Sequence, residues 1–393
     1  MDPTILEKFL GDARFFEEKF ILSQLENRRG LQRDLYERSL NGLEYLAQLK
    51  NMGLDPIFKG GSAVQLLLPE EIQRLSIDLD LAVDISELEI VEFLKSIHSK
   101  FNERIYKFEP SNRKLPSYYR IYYVEIPSFF SKTYSKLELD FLLHTPHYQI
   151  QEARLKTFLY DSEITVKIPT VDSLIGDKLT VLAPRTIGKP MQNPLQYSKQ
   201  LYDIASLFAI SSDINMIYNA YLDVFEFEKL IRNLGEIDLI ITIDDLISIC
   251  KLYSLAVFKP DWITDNEIIK QINFLKKGIE NLYAYTSLQL KFTLPRARTE
   301  ASKIGFLGGL LKLIYKKDLQ QTLSMKIFHS NYEPIYNLYR DSDYMNKVID
   351  KISNLNQSER SHIFIKEFMK TDPLGLLYWY GYYYPFDFLE NIL

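Results

Sequence analysis

The chain has 393 residues, 46% of them hydrophobic and 25% charged, with a net charge of −5. Such a length is a prior for two or three domains, with ample material for a core. The negative total excludes a basic nucleic-acid coat, and the single cysteine, Cys250, excludes a disulfide framework or a cysteine-based zinc site.

The N-terminal MDPTILEKFLGDARFF lacks a basic region followed by an apolar core, so no signal peptide is expected. Residues 4 to about 50 read as two amphipathic helices. In LQRDLYERSLNGLEYLAQLK, Leu35, Leu40, Leu43, Leu46 and Leu49 fall close to helical spacing, and Gly53 and Pro56 end the run. PIFKGG reads as a short strand and turn, SAVQLLL as the start of a helix, and EEIQR as a loop. SIDLDLAV alternates as a strand does, and ISELEIVEFLKSIHSKF is a helix with Ser86 as its N-cap. Further strands are expected at 118–126, 136–144 and 163–169. Mixed strands and helices imply an α/β (α+β) domain. Helical periods dominate from about residue 171, as in VDSLIGDKLTVLA and YSKQLYDIASLF. The expected division is an N-terminal domain at 1–170, with a helical lead-in at 1–52, and an all-helical domain at 171–393. Cys250 lies in apolar LISICKLY and reads as a buried structural thiol, which suits a reducing cytoplasm. IGFLGGLLKLIY is too short to span a bilayer and contains Lys312, so a cytoplasmic protein with no membrane partner is expected.

Within SIDLDLAV the chemistry concentrates. Residues i and i+2 of a strand share a face, so Asp78 and Asp80 project together while Ile77, Leu79 and Leu81 pack inward. Two adjacent carboxylates repel unless a cation lies between them. Magnesium takes carboxylate and phosphate oxygens, and two such ions can clamp a phosphoryl or nucleotidyl transfer. KLELDFLL offers a third carboxylate, Asp140, with Glu138 in reserve. Gly60 and Gly61 permit a tight turn with exposed backbone N–H groups and a helix begins at once at Ser62, an arrangement that binds phosphate through those N–H groups and the helix dipole. No Walker-type phosphate loop occurs. His144 and His147 in HTPH have no further ligands in view for zinc. Arg74 could neutralise the carboxylates or contact phosphate.

Gly-Ser, then Asp-x-Asp on a strand, then a third acidic residue on a later strand resembles the nucleotidyltransferase superfamily with its polymerase-beta-like fold. KGGSA, RLSIDLDL, ELDFLL, GDKLTVLAPRTIG and KQLYDIASLF together resemble its AbiEii/AbiGii toxin family over roughly residues 30–210. The resemblance implies that Gly61 and Ser62 hold a nucleoside triphosphate (NTP) and that Asp78 and Asp80 bind magnesium. It places Lys178 near the phosphates and Lys199 and Asp203 in the last motif. There Tyr197 and Gln200 depart from the Arg-x-Lys-Asp-x-x-Asp pattern of some family members. It further implies transfer of a nucleoside monophosphate to an acceptor, as the toxin of a toxin–antitoxin or phage-defence system with an antitoxin partner. Some relatives extend the 3′ end of tRNA, so RNA is the expected acceptor.

A basic stretch at 271–330 offers an RNA surface: Lys276, Lys277, Lys291, Arg296, Arg298, Lys303, Lys312, Lys316, Lys317 and Lys326, interleaved with Tyr283, Tyr285, Phe292 and Tyr315. A solvated helix face beside its own aromatics would look the same. The competing readings are a small-molecule nucleotidyltransferase of the aminoglycoside-modifying kind and a nucleotide-binding module whose catalysis has lapsed.

Overall fold

The computed structural model of the chain describes residues 3–129, 134–258, 263–290, 292–319 and 323–393. They form two compact units, Met1–Thr170 with Tyr283–Lys291, and Val171–Leu282 with Phe292–Leu393.

The first unit carries helices α1 (Pro3–Leu6), α2 (Glu18–Asn27), α3 (Arg33–Asn51), α4 (Gly60–Leu67) and α5 (Glu87–Lys100). Its strands are β1 (Ile57–Lys59), β2 (Asp78–Ala82), β3 (Phe108–Pro110), β4 (Tyr119–Pro127), β5 (Tyr134–Leu142), β6 (Ile150–Thr157) and β7 (Tyr160–Pro169). They make one mixed seven-stranded sheet in the order β3-β4-β5-β2-β1-β7-β6. The parallel pairs β2–β5 and β1–β7 lie inside it, and the outer pairs are antiparallel.

All five leucines that set the period of α3 are buried. The helix lies on β2 and β5, where Gly42 faces Leu79 and Leu137. The stretch expected as a lead-in therefore covers the sheet's core, and the two helices expected before residue 50 are three, with a 3-10 turn at Ala13–Phe16. Glu44 on α3 is fully buried. It accepts from the backbone N–H groups of Leu10 and Gly11 at 3.0 Å and from the Tyr160 hydroxyl at 3.0 Å, which ties the N-terminal segment to the core. Burial pushes its carboxyl up, against those bonds. Ser86 caps α5 with a full capping box to Glu89.

Strands β3 and β6 were not expected. Both are outermost in the sheet. β3 is three residues long, and β6 buries only Leu155 and Thr157, so neither carries the apolar alternation that marks a strand with a covered face.

The second unit is helical: α6 (Val171–Val181), α7 (Pro194–Phe208), α8 (Ile214–Ile231), α9 (Leu239–Val257), α10 (Asn266–Leu282) and α11 (Leu294–Tyr315). α12 (Glu333–Leu338), α13 (Ser342–Ser353), α14 (Gln357–Arg360), α15 (Ile365–Thr371), α16 (Pro373–Tyr383) and α17 (Pro385–Glu390) follow. α11 is buried along most of its length against α7, α9 and α16. The aromatic C-terminal run packs through α16, whose Trp379 Nε1 donates to Ser254 Oγ at 3.1 Å. Cys250 is buried in α9, and burial pushes its thiol up. Among the described residues no helix is long and apolar enough to cross a membrane.

Candidate active site

In β2, Leu79 and Leu81 are buried and Asp78 and Asp80 are half-buried, the alternation of a strand with one covered face. β5 repeats the pattern, with Leu137, Leu139 and Phe141 inward. The parallel register sets Asp80 beside Asp140 and Asp78 beside Glu138. Neighbouring strands lie about 4.8 Å apart, so four carboxylates share one patch of sheet. They are not equivalent. Arg113 grips Glu138 with two nitrogens, at 3.1 and 3.3 Å, and this neighbour raises the arginine's pKa. Glu138 is thereby paired, while Asp140 stands next to Asp80 with its Oδ1 closed off from solvent. On the other flank of β2, the antiparallel register sets Lys59 beside Asp80.

The glycines have a reason that the sequence did not show. The helix begins at Gly60, before the expected start at Ser62. Gly60 has φ +68°, and a Cβ there would stand 1.7 Å from Asp80 Oδ2. A Cβ at Gly61 would stand 2.4 Å from Arg74 Nη2 and 2.7 Å from Ser76 Oγ. The glycines thus make room for the protein's own carboxylate and guanidinium. Ser62 donates its hydroxyl to the Asp78 carbonyl at 2.9 Å, which pins α4 to β2 and commits its only proton.

Arg74 is 4% exposed, although arginines are mostly solvent-exposed. Its Nη1 donates to the Leu75 carbonyl, and the Leu75 N–H donates to Tyr285 O at 2.8 Å. Burial first, then the Asp78 charge, push the Tyr285 phenol up, with Arg38 and Arg74 opposing. Lys59 and Arg113 were missed in the sequence, and Tyr285 was read as part of the basic stretch, whereas it belongs to the first unit. Only Lys59 had a signal, its place just before the glycines.

In the second unit, Lys178 of α6 and Asp203 of α7 form a buried pair at 2.9 Å, and Lys178 also donates to Gln200 Oε1 at 3.2 Å. Gln200, which departs from the family pattern, therefore still supplies an acceptor. Tyr197, the other departure, is buried and donates to the Lys189 carbonyl. Lys199 is half-buried on α7.

The basic stretch is not one surface. Arg298 and Lys303 are buried and paired with Asp372 and Glu300, and Lys312 is paired with Asp244. Phe292 is buried against Tyr202, and Tyr285 is buried in the first unit. Lys291 lies outside the described residues.

Among the described residues no group of three or more His, Cys, Asp or Glu side chains is arranged to hold a metal ion. The donor chemistry nevertheless fits magnesium: Asp78, Asp80 and Asp140 present hard carboxylate oxygens from one sheet face.

Residues 45–268, more than half of the chain, match the family described as "Nucleotidyl transferase AbiEii toxin, Type IV TA system". The chain belongs to the AbiEii family. It is a nucleotidyltransferase of a type IV toxin–antitoxin system, and AbiEii membership implies a nucleotide substrate and an antitoxin partner. The matched span holds every candidate from Gly60 to Asp203, but neither Arg38 nor Tyr285. Among solved structures the chain is similar to JHP933 from Helicobacter pylori, at 14% identity over 72% of this chain and 95% of that one, with a TM-score of 0.40. It is also similar to a provisionally assigned nucleotidyltransferase from H. pylori, at 12% identity over 72% and 99%, with a TM-score of 0.39. No curated protein matches the chain.

The Gly60 contact makes a prediction for this AbiEii chain. Gly60→Ala forces a side chain into a left-handed φ and against Asp80, at a cost of about 1–3 kcal/mol. NTP binding and transfer are expected to fall with it. Ser62→Ala loses one hydrogen bond, about 0.5–1.5 kcal/mol, and is expected to be milder. Melting curves and NTP calorimetry on the two variants check this; Gly60→Ala matching wild type in both would refute the contact.

Proposed function

We propose that this AbiEii chain transfers a nucleoside monophosphate from an NTP to an RNA 3′ end, releasing pyrophosphate, with magnesium held by Asp78, Asp80 and Asp140. The observation that carries the reading is the register that sets Asp80 beside Asp140, with Asp78 on the same face and the helix start at Gly60 next to Asp80.

The N–H groups of the first turn of α4 and its dipole hold triphosphate oxygens. Ser62 acts by anchoring that turn to β2. Arg74, buried beside Gly61, supplies fixed positive charge to the phosphates. Magnesium, when bound, offsets the charge of the carboxylates and the phosphate oxygens. Asp140 orients the attacking 3′ hydroxyl and accepts its proton. The roles of Lys178, Lys199 and Asp203 in nucleotide binding rest on the resemblance alone. A cytoplasmic setting and a part in phage defence follow from the family reading.

Incubation with each labelled NTP, magnesium and total RNA tests the proposal. Label in RNA, with one pyrophosphate released per nucleotide added, is the expected result. Label confined to small molecules would overturn the choice of acceptor.

A further inference from the structure

Donor and acceptor of a nucleotidyl transfer meet at one phosphorus, so the carboxylates need two approaches. On one flank of β2 lies β1, which runs directly into the glycines of α4. On the other lie β5, β4 and β3, and there the first unit opens a cleft of about 920 Å³. Its lining includes Asp34 and Arg38 of α3, Asn112 and Arg113 after β3, Tyr123 of β4 and Glu138 of β5. Tyr123 is the register partner of Glu138, and Glu138 that of Asp78, so the cleft floor continues the carboxylate face.

Most charges in this cleft are already matched. Glu138 takes Arg113, and Glu109 takes Lys136. Arg38 differs. Its Nε is closed off from solvent and has no hydrogen-bond partner among the described residues. It stands within electrostatic reach of the Tyr285 phenol, as Asp78 and Arg74 do. Arg38 is half-buried and lines the cleft, and with its Nε closed off the two Nη nitrogens are the edge that a ligand meets; that edge suits an anion with two acceptor oxygens, and phosphate has that geometry.

We infer that this cleft is the acceptor subsite and that Arg38 holds a phosphodiester of the single-stranded RNA end that receives the nucleotide. The inference rests on the RNA reading above. The same phosphate chemistry could come from the NTP, whose place is on the opposite flank at Gly60 and Gly61.

The test compares wild type, Arg38→Gln and Arg38→Lys. Anisotropy of a fluorescent short single-stranded RNA reads acceptor affinity, and calorimetry reads NTP affinity. Arg38→Gln is expected to weaken RNA binding by about tenfold or more and to lower the salt slope by about one phosphate. NTP affinity is expected to stay unchanged. Arg38→Lys keeps the charge without the fork and is expected to restore part of the RNA affinity. If wild type binds RNA and Arg38→Gln binds it equally well, the inference fails and the RNA reading stands. A loss of NTP affinity in place of RNA affinity assigns the phosphate to the donor and overturns the acceptor subsite. A wild type that binds no RNA removes both. If Arg38→Gln does not fold, Arg38→Lys decides: an RNA affinity loss of about threefold or more supports the fork, and none overturns it.

Discussion

Asp80→Ala is expected to abolish nucleotidyl transfer while leaving the fold intact. Asp80 is the carboxylate with a partner on both flanks, Asp140 across one register and Lys59 across the other, and it lies against Gly60. Its loss removes an oxygen ligand from the proposed magnesium site, where several kcal/mol of charge stabilisation is at stake. That corresponds to a rate loss on the order of a thousandfold or more. Asp78→Ala is expected to behave alike. Glu138→Gln is expected to do less, since Arg113 already pairs with that carboxylate. Thinning a crowded carboxylate patch relieves repulsion, so the melting temperature is expected to hold or rise. Transfer of label to RNA and thermal melting, run on each variant, give the answer. Near-normal turnover in Asp80→Ala, or in wild type under excess chelator, would show that the chemistry lies elsewhere.

Arg298→Ala is expected to destabilise the second unit by about 3–5 kcal/mol, because it strands a buried carboxylate. Arg298 is 1% exposed in α11. Its Nε pairs with Asp372 Oδ2 at 3.1 Å, its Nη2 donates to Thr371 Oγ1 at 2.9 Å, and its guanidinium lies 4.9 Å and 4.6 Å from the rings of Phe258 and Phe368. Burial lowers the arginine's pKa and raises that of Asp372, so desolvation outweighs the attraction on both sides of the pair. Asp372 also accepts from the Gly375 N–H at 2.8 Å and caps α16. Arg298→Ala together with Asp372→Ala is therefore expected to cost less than the sum of the single changes, since no lone charge is left. Urea unfolding followed by the fluorescence of the two tryptophans, Trp262 and Trp379, reads the difference. A cost below about 1 kcal/mol for Arg298→Ala would mean that water reaches the pocket and solvates Asp372.

Periodicity alone determined several features of this protein. The two aspartates of β2, the leucine stripe of α3, the cap of α5 and the change to helix near residue 171 are local patterns, written in spacings of two and of three to four. Asp140 and Glu138 were legible for the same reason, as two acids on one face of KLELDFLL. Edge strands β3 and β6 were not legible, because a strand with little covered surface has no reason to alternate. Only tertiary structure decided which carboxylates are neighbours, since register depends on how β2 meets β5. It alone showed that Gly60 and Gly61 yield space to Asp80 and Arg74, that Glu138 is claimed by Arg113, and that Arg38 reaches the cleft. It also dispersed the basic stretch, turning Arg298 and Lys303 from surface cations into buried partners of Asp372 and Glu300. Charge counts read along a sequence cannot anticipate this, because pairing is settled by three-dimensional proximity and by the cost of leaving a buried charge alone.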